Sequence, residues 1–334
     1  MLDSDKKDLE ILRLKILALI EESKFELAKD EALYLVSKSN AVDDYILVSE
    51  VYIKQKKYNI AMKYLESAYT KEYNEKILDK MSVILYVNLQ RKKDAIAQLE
   101  THTMIYGCSR LICSRLIGFY SNENNIDAIL SVYLRMYRLD ANEKIAEKIV
   151  QIYDYKKEYI KLIDFLEKTH IDDEKLFQTY VSLNKYKKAY ILARKIYDRT
   201  SNVDYLAQSA IFKYQDSKNK NDKKLYMQVI KDLKKVISKI EKPMYLNYLG
   251  YLMIEHSVDI KGGMLYVRKA LTSNEESAYF LDSLAWGYYK LHNCKKAKKI
   301  MDKVVRLGDL NEKDIIFHLN EINKCIKNKK RGKK

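Results

Sequence analysis

The chain has 334 residues, 47% of them hydrophobic and 32% charged, with a formal net charge of +16. It contains 8 glycines and 1 proline. A β-sandwich or barrel needs turn residues every 8–12 positions, and an α/β sheet needs glycine at its crossovers, so both are disfavoured and an all-helical chain with short connections is left.

The first segment, "LEILRLKILALI", carries Glu10, Arg13 and Lys15 inside its apolar run, which argues against a signal peptide. No stretch of 18 apolar residues occurs, so no membrane span is expected. A leader or lipid anchor lying outside this sequence would not be visible in it. Further along, "DYILVSEVYIKQKKYNIAMKYLESAY" (44–69) aligns with "LDSLAWGYYKLHNCKKAKKIMDKVV" (281–305). Tyr52 falls on Tyr288, Ala61 on Ala297, Val48 on Leu284, Leu65 on Met301 and Ala68 on Val304. The same frame passes through one small or apolar anchor in each second helix: Ala28, Ala61, Ala95, Ile129, Leu162, Ala189, Val229, Gly263 and Ala297. Successive anchors lie 33 or 34 residues apart, except for one step of 27 and one of 40. A period of this kind marks a stacked array in which no unit buries its own face alone.

The pattern of a large residue, Leu, a small residue, Tyr, and then Ala, a large apolar residue and Ala resembles the tetratricopeptide repeat (TPR) over nearly the whole chain. The resemblance implies an all-α, TPR-type α-solenoid. About nine helix pairs would wind into a right-handed superhelix, closed by a C-terminal capping helix. Tyr52, Tyr58, Tyr86, Tyr120, Tyr153, Tyr159, Tyr180, Tyr186 and Tyr288 fall at repeat positions that pack against neighbours with a wet hydroxyl. The helix "DEKLFQTYVSL" is short, and "QDSKNKNDKK" lengthens a later turn. These irregularities suggest an N-terminal array over 8–200, a C-terminal array with its cap over 201–328, and a basic disordered tail at 329–334. In "NEKDIIFHLNEINKCIKN", the stripe Ile315, Ile316, Leu319, Ile322 and Ile326 is expected to seat the cap.

No catalytic constellation survives inspection. The five histidines show no H-E-x-x-H and no metal-ligand spacing, and "KGG" at 261–263 is a turn and an anchor rather than a phosphate loop. Neither a cofactor nor a metal is expected, and the chain reads as no enzyme. Cys108, Cys113, Cys294 and Cys325 are too few and scattered for a disulfide framework. Five residues apart on a helix, Cys108 and Cys113 point about 140° away from each other and are not expected to face one another. Lysines at 295, 296, 298 and 299, and at 234 and 235, fall on the solvent side of second helices. A convex basic stripe of this kind meets phosphate nonspecifically, but without interleaved aromatics it argues against nucleic acid. A Lys-, Ile-, Tyr- and Asn-rich composition of the sort AT-rich genomes produce accounts for much of the charge.

In TPR proteins the ligand side is the concave surface of the first helices. In the second repeat this frame gives Asp43, Ile46, Glu50, Ile53 and Lys54. In the last two repeats it brings Asn247, Tyr251, Asp282, Trp286, Tyr289 and Lys290 to one groove, which is the expected site for a protein or peptide partner. Aromatic faces there would bury apolar side chains, with Trp286 as an exposed anchor. The competing reading packs Trp286 under the cap helix. Asp282 would repel a C-terminal carboxylate, so the carboxylate clamp of chaperone-binding relatives does not carry over.

"YLNYLGYLMIEHSVDIKGGMLYVRKAL", followed by "FLDSLAWGYYKLHNCKKA", is similar to a repeat pair in Gram-negative envelope TPR lipoproteins that act as adaptors or scaffolds. That resemblance implies a noncatalytic protein-interaction scaffold at the bacterial periplasm or outer membrane. The alternatives are a cytosolic peptide-binding regulator and an RNA-associated helical-repeat protein.

Overall fold

The computed structural model describes residues 3–308 and 312–331. Within them every regular element is a helix. Nine helix pairs follow in order. The first five are α1 (Asp3–Glu21) with α2 (Phe25–Ser39), α3 (Val42–Lys54) with α4 (Tyr58–Lys71), α5 (Glu75–Val83, continued by a π turn at Ile84–Asn88) with α6 (Lys92–Tyr106), α7 (Arg110–Asn122) with α8 (Ile126–Leu139), and α9 (Glu143–Tyr155) with α10 (Tyr159–Thr169). The last four are α11 (Asp173–Ser182) with α12 (Tyr186–Thr200), α13 (Val203–Asp216) with α14 (Lys223–Ile237), α15 (Pro243–Glu255) with α16 (Ile260–Leu271), and α17 (Ala278–Lys290) with α18 (Cys294–Leu307). A single helix, α19 (Lys313–Arg331), ends the array. The backbone at 329–331, the start of the expected tail, is helical. The side chains from 329 onward and residues 332–334 lie outside the described residues.

The repeat is written into the backbone of the turns. Within a pair, the two helices are joined through one residue in the left-handed region: Ser23, Lys56, Gln90, Asn124, Lys157, Asn184, Ser257 and His292. Each reverses the chain in a few residues and stacks the second helix on the first. None is glycine, so each strains a side chain into a region that costs roughly 1–2 kcal/mol. Only the α13–α14 turn, where the sequence is longer, lacks such a residue. There the Lys220 ammonium donates to the carbonyls of Tyr214 and Gln215, capping the end of α13.

Eight of the nine anchors are buried, and Ile129 is half-buried. Ala28, Ala61, Ala95, Ala189 and Ala297 are fully buried. Between α15 and α16 even a methyl group does not fit. A Cβ on Gly250 would lie 2.5 Å from the carbonyl oxygen of Gly263, and one on Gly263 would lie 2.7 Å from that of Gly250.

The chain divides into two compact units, residues 1–162 and 163–334, and Ala189 and Val229, the anchors that end the two irregular repeat steps, lie in the second. In the first unit, apolar clusters around Leu35, Val48 and Val51 and around Leu65, Leu78, Leu99 and Leu116 fill the spaces between repeats. Arginine–carboxylate pairs clip successive first helices together. Arg13 holds the fully buried Asp44 at 2.7 and 3.0 Å, and Arg115 holds Asp79 at the same distances. In the second unit, Leu206, Val229, Leu233, Leu249 and Leu252 form the equivalent core. Tyr52, Tyr86, Tyr153 and Tyr180 are buried as their repeat positions require. The Tyr86 hydroxyl donates to the Phe119 carbonyl at 3.2 Å and to Glu123 at 2.7 Å, and that of Tyr180 to Glu167.

The cysteines depart from the sequence reading. Cys108 is not helical: Gly107 (φ +89°) ends α6 and Cys108 lies in the connection before the Ser109 cap of α7. The helical-wheel separation therefore does not apply. Cys108 and Cys113, with Cα atoms 5.6 Å apart, are disulfide-bonded. So are Cys294 and Cys325, 5.9 Å apart at Cα, which tie α18 to α19.

Candidate functional site

The helix α17, "AYFLDSLAWGYYK", starts at Ser277, whose hydroxyl caps the Phe280 amide. Its apolar side chains run around most of its circumference, so it is buried on more than one face. Gly287 lets it close on α16, since a Cβ there would meet Met264 Cγ at 2.6 Å. On another face lies α19. The stripe that seats α19 runs through Ile315, His318, Ile322 and Cys325, with Ile316 and Phe317 turned outward at 42% and 55% exposure. The expected stripe through Ile316 is thus rotated, because His318 and Cys325 both make specific partnerships on α17 and α18.

Trp286 is 3% exposed. Its ring stacks on His318 with centroids 4.0 Å apart, lies 4.5 Å from the parallel Tyr289 ring, and meets Phe317 edge-on. Its indole N–H donates to Glu255 Oε2 at 2.5 Å. Lys290 Nζ lies 5.1 Å from the ring centroid and donates to the Glu255 carbonyl at the end of α15. Asp282 is buried, with both carboxylate oxygens 2.9 and 3.1 Å from His318 Nδ1. Burial pushes the Asp282 carboxyl above its ordinary range, and the contact with His318 offsets part of that push. Tyr289 donates to Glu321 at 3.3 Å. The Tyr251 ring is 6.2 Å from His318, and burial pushes its hydroxyl up.

The structure brings Tyr251, Asp282, Trp286 and Tyr289 together under α19, with Lys290 beside Trp286 on Glu255. Trp286 is not the exposed anchor anticipated from its repeat position: the cap helix occupies the surface it faces. Asn247 differs from the rest, because its Oδ1 is buried without a hydrogen-bond partner.

The same row of first helices stays open further toward the N-terminal side of this unit. Between α11, α13 and α15 lies a groove of about 530 Å³. Phe177, Val181, Ile211, Phe212, Met244 and Tyr248 give it an apolar wall, and Gln178, Gln208 and Gln215 supply amides. No charged side chain lines it. Met244 projects with 67% exposure, whereas Phe212 is fixed between Phe177 (5.8 Å) and a stacked Tyr186 (5.5 Å). Gln208 Oε1 is a buried acceptor without a partner, a feature rare enough in folded proteins to need an explanation. Apart from Met244, Tyr245 and Tyr248 of α15, the lining lies on α11 and α13, where the repeat steps are irregular; the pairs Phe177 with Tyr180 and Phe212 with Gln215, each three residues apart, were the available signal.

Among the described residues no group of three or more His, Cys, Asp or Glu is placed to hold a metal ion, and no helix is long and apolar enough to cross a membrane. No known protein family and no curated protein matches the chain. Solved structures that it resembles include the TPR domain of P58(IPK), at 11% identity over 96% of this chain and 99% of that one, with a TM-score of 0.32. A tetratricopeptide repeat protein from Parabacteroides merdae is 12% identical over 84% and 99%, with a TM-score of 0.36. Naa15/Naa10 bound to HypK is 15% identical over 94% of this chain, with a TM-score of 0.34, and this chain spans 60% of the chain it matches there.

Proposed function

We propose that the chain is a noncatalytic protein-interaction scaffold, and that the groove between α11, α13 and α15 takes a neutral, apolar segment of a partner protein. The observation that carries this is the uncharged apolar wall, from which Met244 projects with 67% exposure. A partner's apolar side chains would cover Phe212, Ile211 and Met244. At the C-terminal end of the same row, Tyr251, Asp282, Trp286 and Tyr289 contact α19, which supports reading that surface as the seat of this chain's own cap helix.

We further propose that this scaffold works in the bacterial cell envelope as an adaptor. The Cys108–Cys113 and Cys294–Cys325 disulfides support that setting, since such bonds persist in oxidising compartments such as the periplasm.

The test is a photo-crosslinking amino acid placed at Met244 in the producing cells, with a second at the exposed Lys63 of α4 as control. The proposal expects one protein captured from position 244 and absent from position 63. Equal capture at both positions, or none at 244, would remove the groove from the account. Blocking free thiols at lysis and weighing the chain reads the compartment, and four modified cysteines would contradict the envelope setting.

A further inference from the structure

The excess positive charge is not spread over the chain. Residues 1–162 contain 26 Lys and Arg against 25 Asp and Glu, whereas residues 163–334 contain 36 against 21. Within the second unit the split is sharper. The second helices of its pairs, α12, α14, α16 and α18, hold 19 basic residues and 3 acidic ones, while its first helices α11, α13, α15 and α17 hold 3 and 6. The equivalent second helices of the other unit, α2, α4, α6 and α8, are balanced at 8 and 7. A compositional bias of the genome would act on both units alike, so composition does not account for this face.

The basic residues are also ordered. In α12, Ile191 stands one turn from Lys187 and one turn from Lys195. Met227 of α14 stands in the same way between Lys223 and Lys231, and Leu265 of α16 between Lys261 and Lys269. All of these side chains are exposed, the three apolar ones at 42%, 41% and 68%. In α18 the row is Lys295, Lys299 and Lys303, with a lysine at the centre. The corresponding row in α2 is Glu26, Asp30 and Tyr34. Side-chain contacts link neighbouring helices of this face, as where Lys235 of α14 lies over the Tyr197 ring of α12 at 5.4 Å. The three acidic residues are taken up internally: Asp198 and Asp232 by Arg194, and Asp302 by Lys298. Of the lysines in these rows, Lys269 is paired, with Glu241.

We propose that this face docks on an anionic lipid bilayer, with the lysines at headgroup level and Leu265, Ile191 and Met227 reaching the acyl boundary. An anionic leaflet attracts basic side chains within a Debye length of its surface, and apolar side chains set among them add burial that a purely electrostatic contact lacks. A nucleic acid would instead want open aromatic faces for base stacking. Two aromatic rings at this face already carry cations, Tyr197 of α12 under Arg194 and Lys235, and Tyr288 of α17 under Arg268 and Lys296. Docking through the second helices leaves the groove of the first helices free, so the inference stands independently of what binds there.

The test is co-sedimentation of the full chain with vesicles of phosphatidylcholine alone and of phosphatidylcholine with phosphatidylserine. Binding is expected only to the anionic vesicles, weakening as salt is raised. The triple variant Lys187→Glu, Lys231→Glu, Lys299→Glu should lose roughly tenfold or more of the partition. A matched reversal in the first unit, Lys63→Glu, Lys93→Glu, Lys144→Glu, should keep it, and Leu265→Ser should lower it several-fold without altering the melt. Equal losses from the two triples would overturn the proposal. So would a chain that binds single-stranded RNA and ignores anionic vesicles, which would make nucleic acid the partner of this face.

Discussion

Replacing Trp286 by alanine asks whether α19 is part of the fold or a loose appendage. In the structure the indole is almost fully buried, and the substitution removes three contacts together: the His318 stack, the Tyr289 stack and the hydrogen bond to Glu255. Deleting a buried Trp side chain costs about 3–5 kcal/mol. Glu255 keeps Lys290 at 3.6 Å, so its carboxylate is not stranded and adds little to that cost. Spread over a unit of this size, the loss corresponds to a melting temperature lower by roughly 6–20 °C. In a stacked array the damage stays near its origin, so α19 and α17 should lose protection first while residues 1–162 hold theirs. Circular dichroism melts give the first number, and hydrogen exchange followed by mass spectrometry gives the second. Trp286→Phe keeps a ring against His318 and should recover part of the loss. An unchanged melt with undiminished protection of α19 would mean that Trp286 faces water and that the packing described above is wrong.

Gly263→Val should be still more damaging locally, because its Cβ would sit 2.7 Å from a backbone carbonyl and α15 and α16 would have to separate; a cost of about 1–3 kcal/mol or more is expected in a urea melt, and a neutral result would refute the repeat register. Burial pushes the His256 imidazole, which shares a hydrogen bond with Tyr214 and stacks on Tyr226, below its ordinary range. A depressed pKa means that stability is full above the unfolded value near 6.5 and is lost as pH falls from there through the folded value. Melts at successive pH values should therefore show a decline below pH ~6.5 that is shallower in His256→Asn, and identical slopes would contradict the assignment. Met244→Asp, at an exposed position in the groove, should leave the melt within roughly 0.5 kcal/mol of the parent while abolishing capture of the partner, which pull-down from the producing cells would measure.

The repeat was legible because its causes are local. A small residue where two helices touch and a tyrosine in the last turn of the first helix recur at a fixed spacing, and Ala61 and Ala297 are buried as that spacing requires. The left-handed turn residues were not legible: Lys56, Gln90 and Lys157 are residue types with no special preference for that region, and only the stacking of the pair holds them there. Trp286 shows a second kind of limit. Its position within the repeat gives the face on which it lies, but not whether another element lies across that face. The signal lay in α19, where His318 and Cys325 continue the stripe of Ile315 and Ile322, and a stripe of isoleucines hid it. The disulfide of Cys108 was missed because the connection between α6 and α7 was read as helix. Phe177 and Phe212 were missed because the two repeats that carry them have the steps of 27 and 40 residues, where the frame guides least.

The most direct test of the scaffold account is a hydrogen-exchange footprint of the chain with and without the protein captured at position 244. The account predicts slowed exchange in α11, α13 and α15, with the second helices α12, α14 and α16 unchanged. Protection confined to those second helices, or none in the second unit, would contradict it.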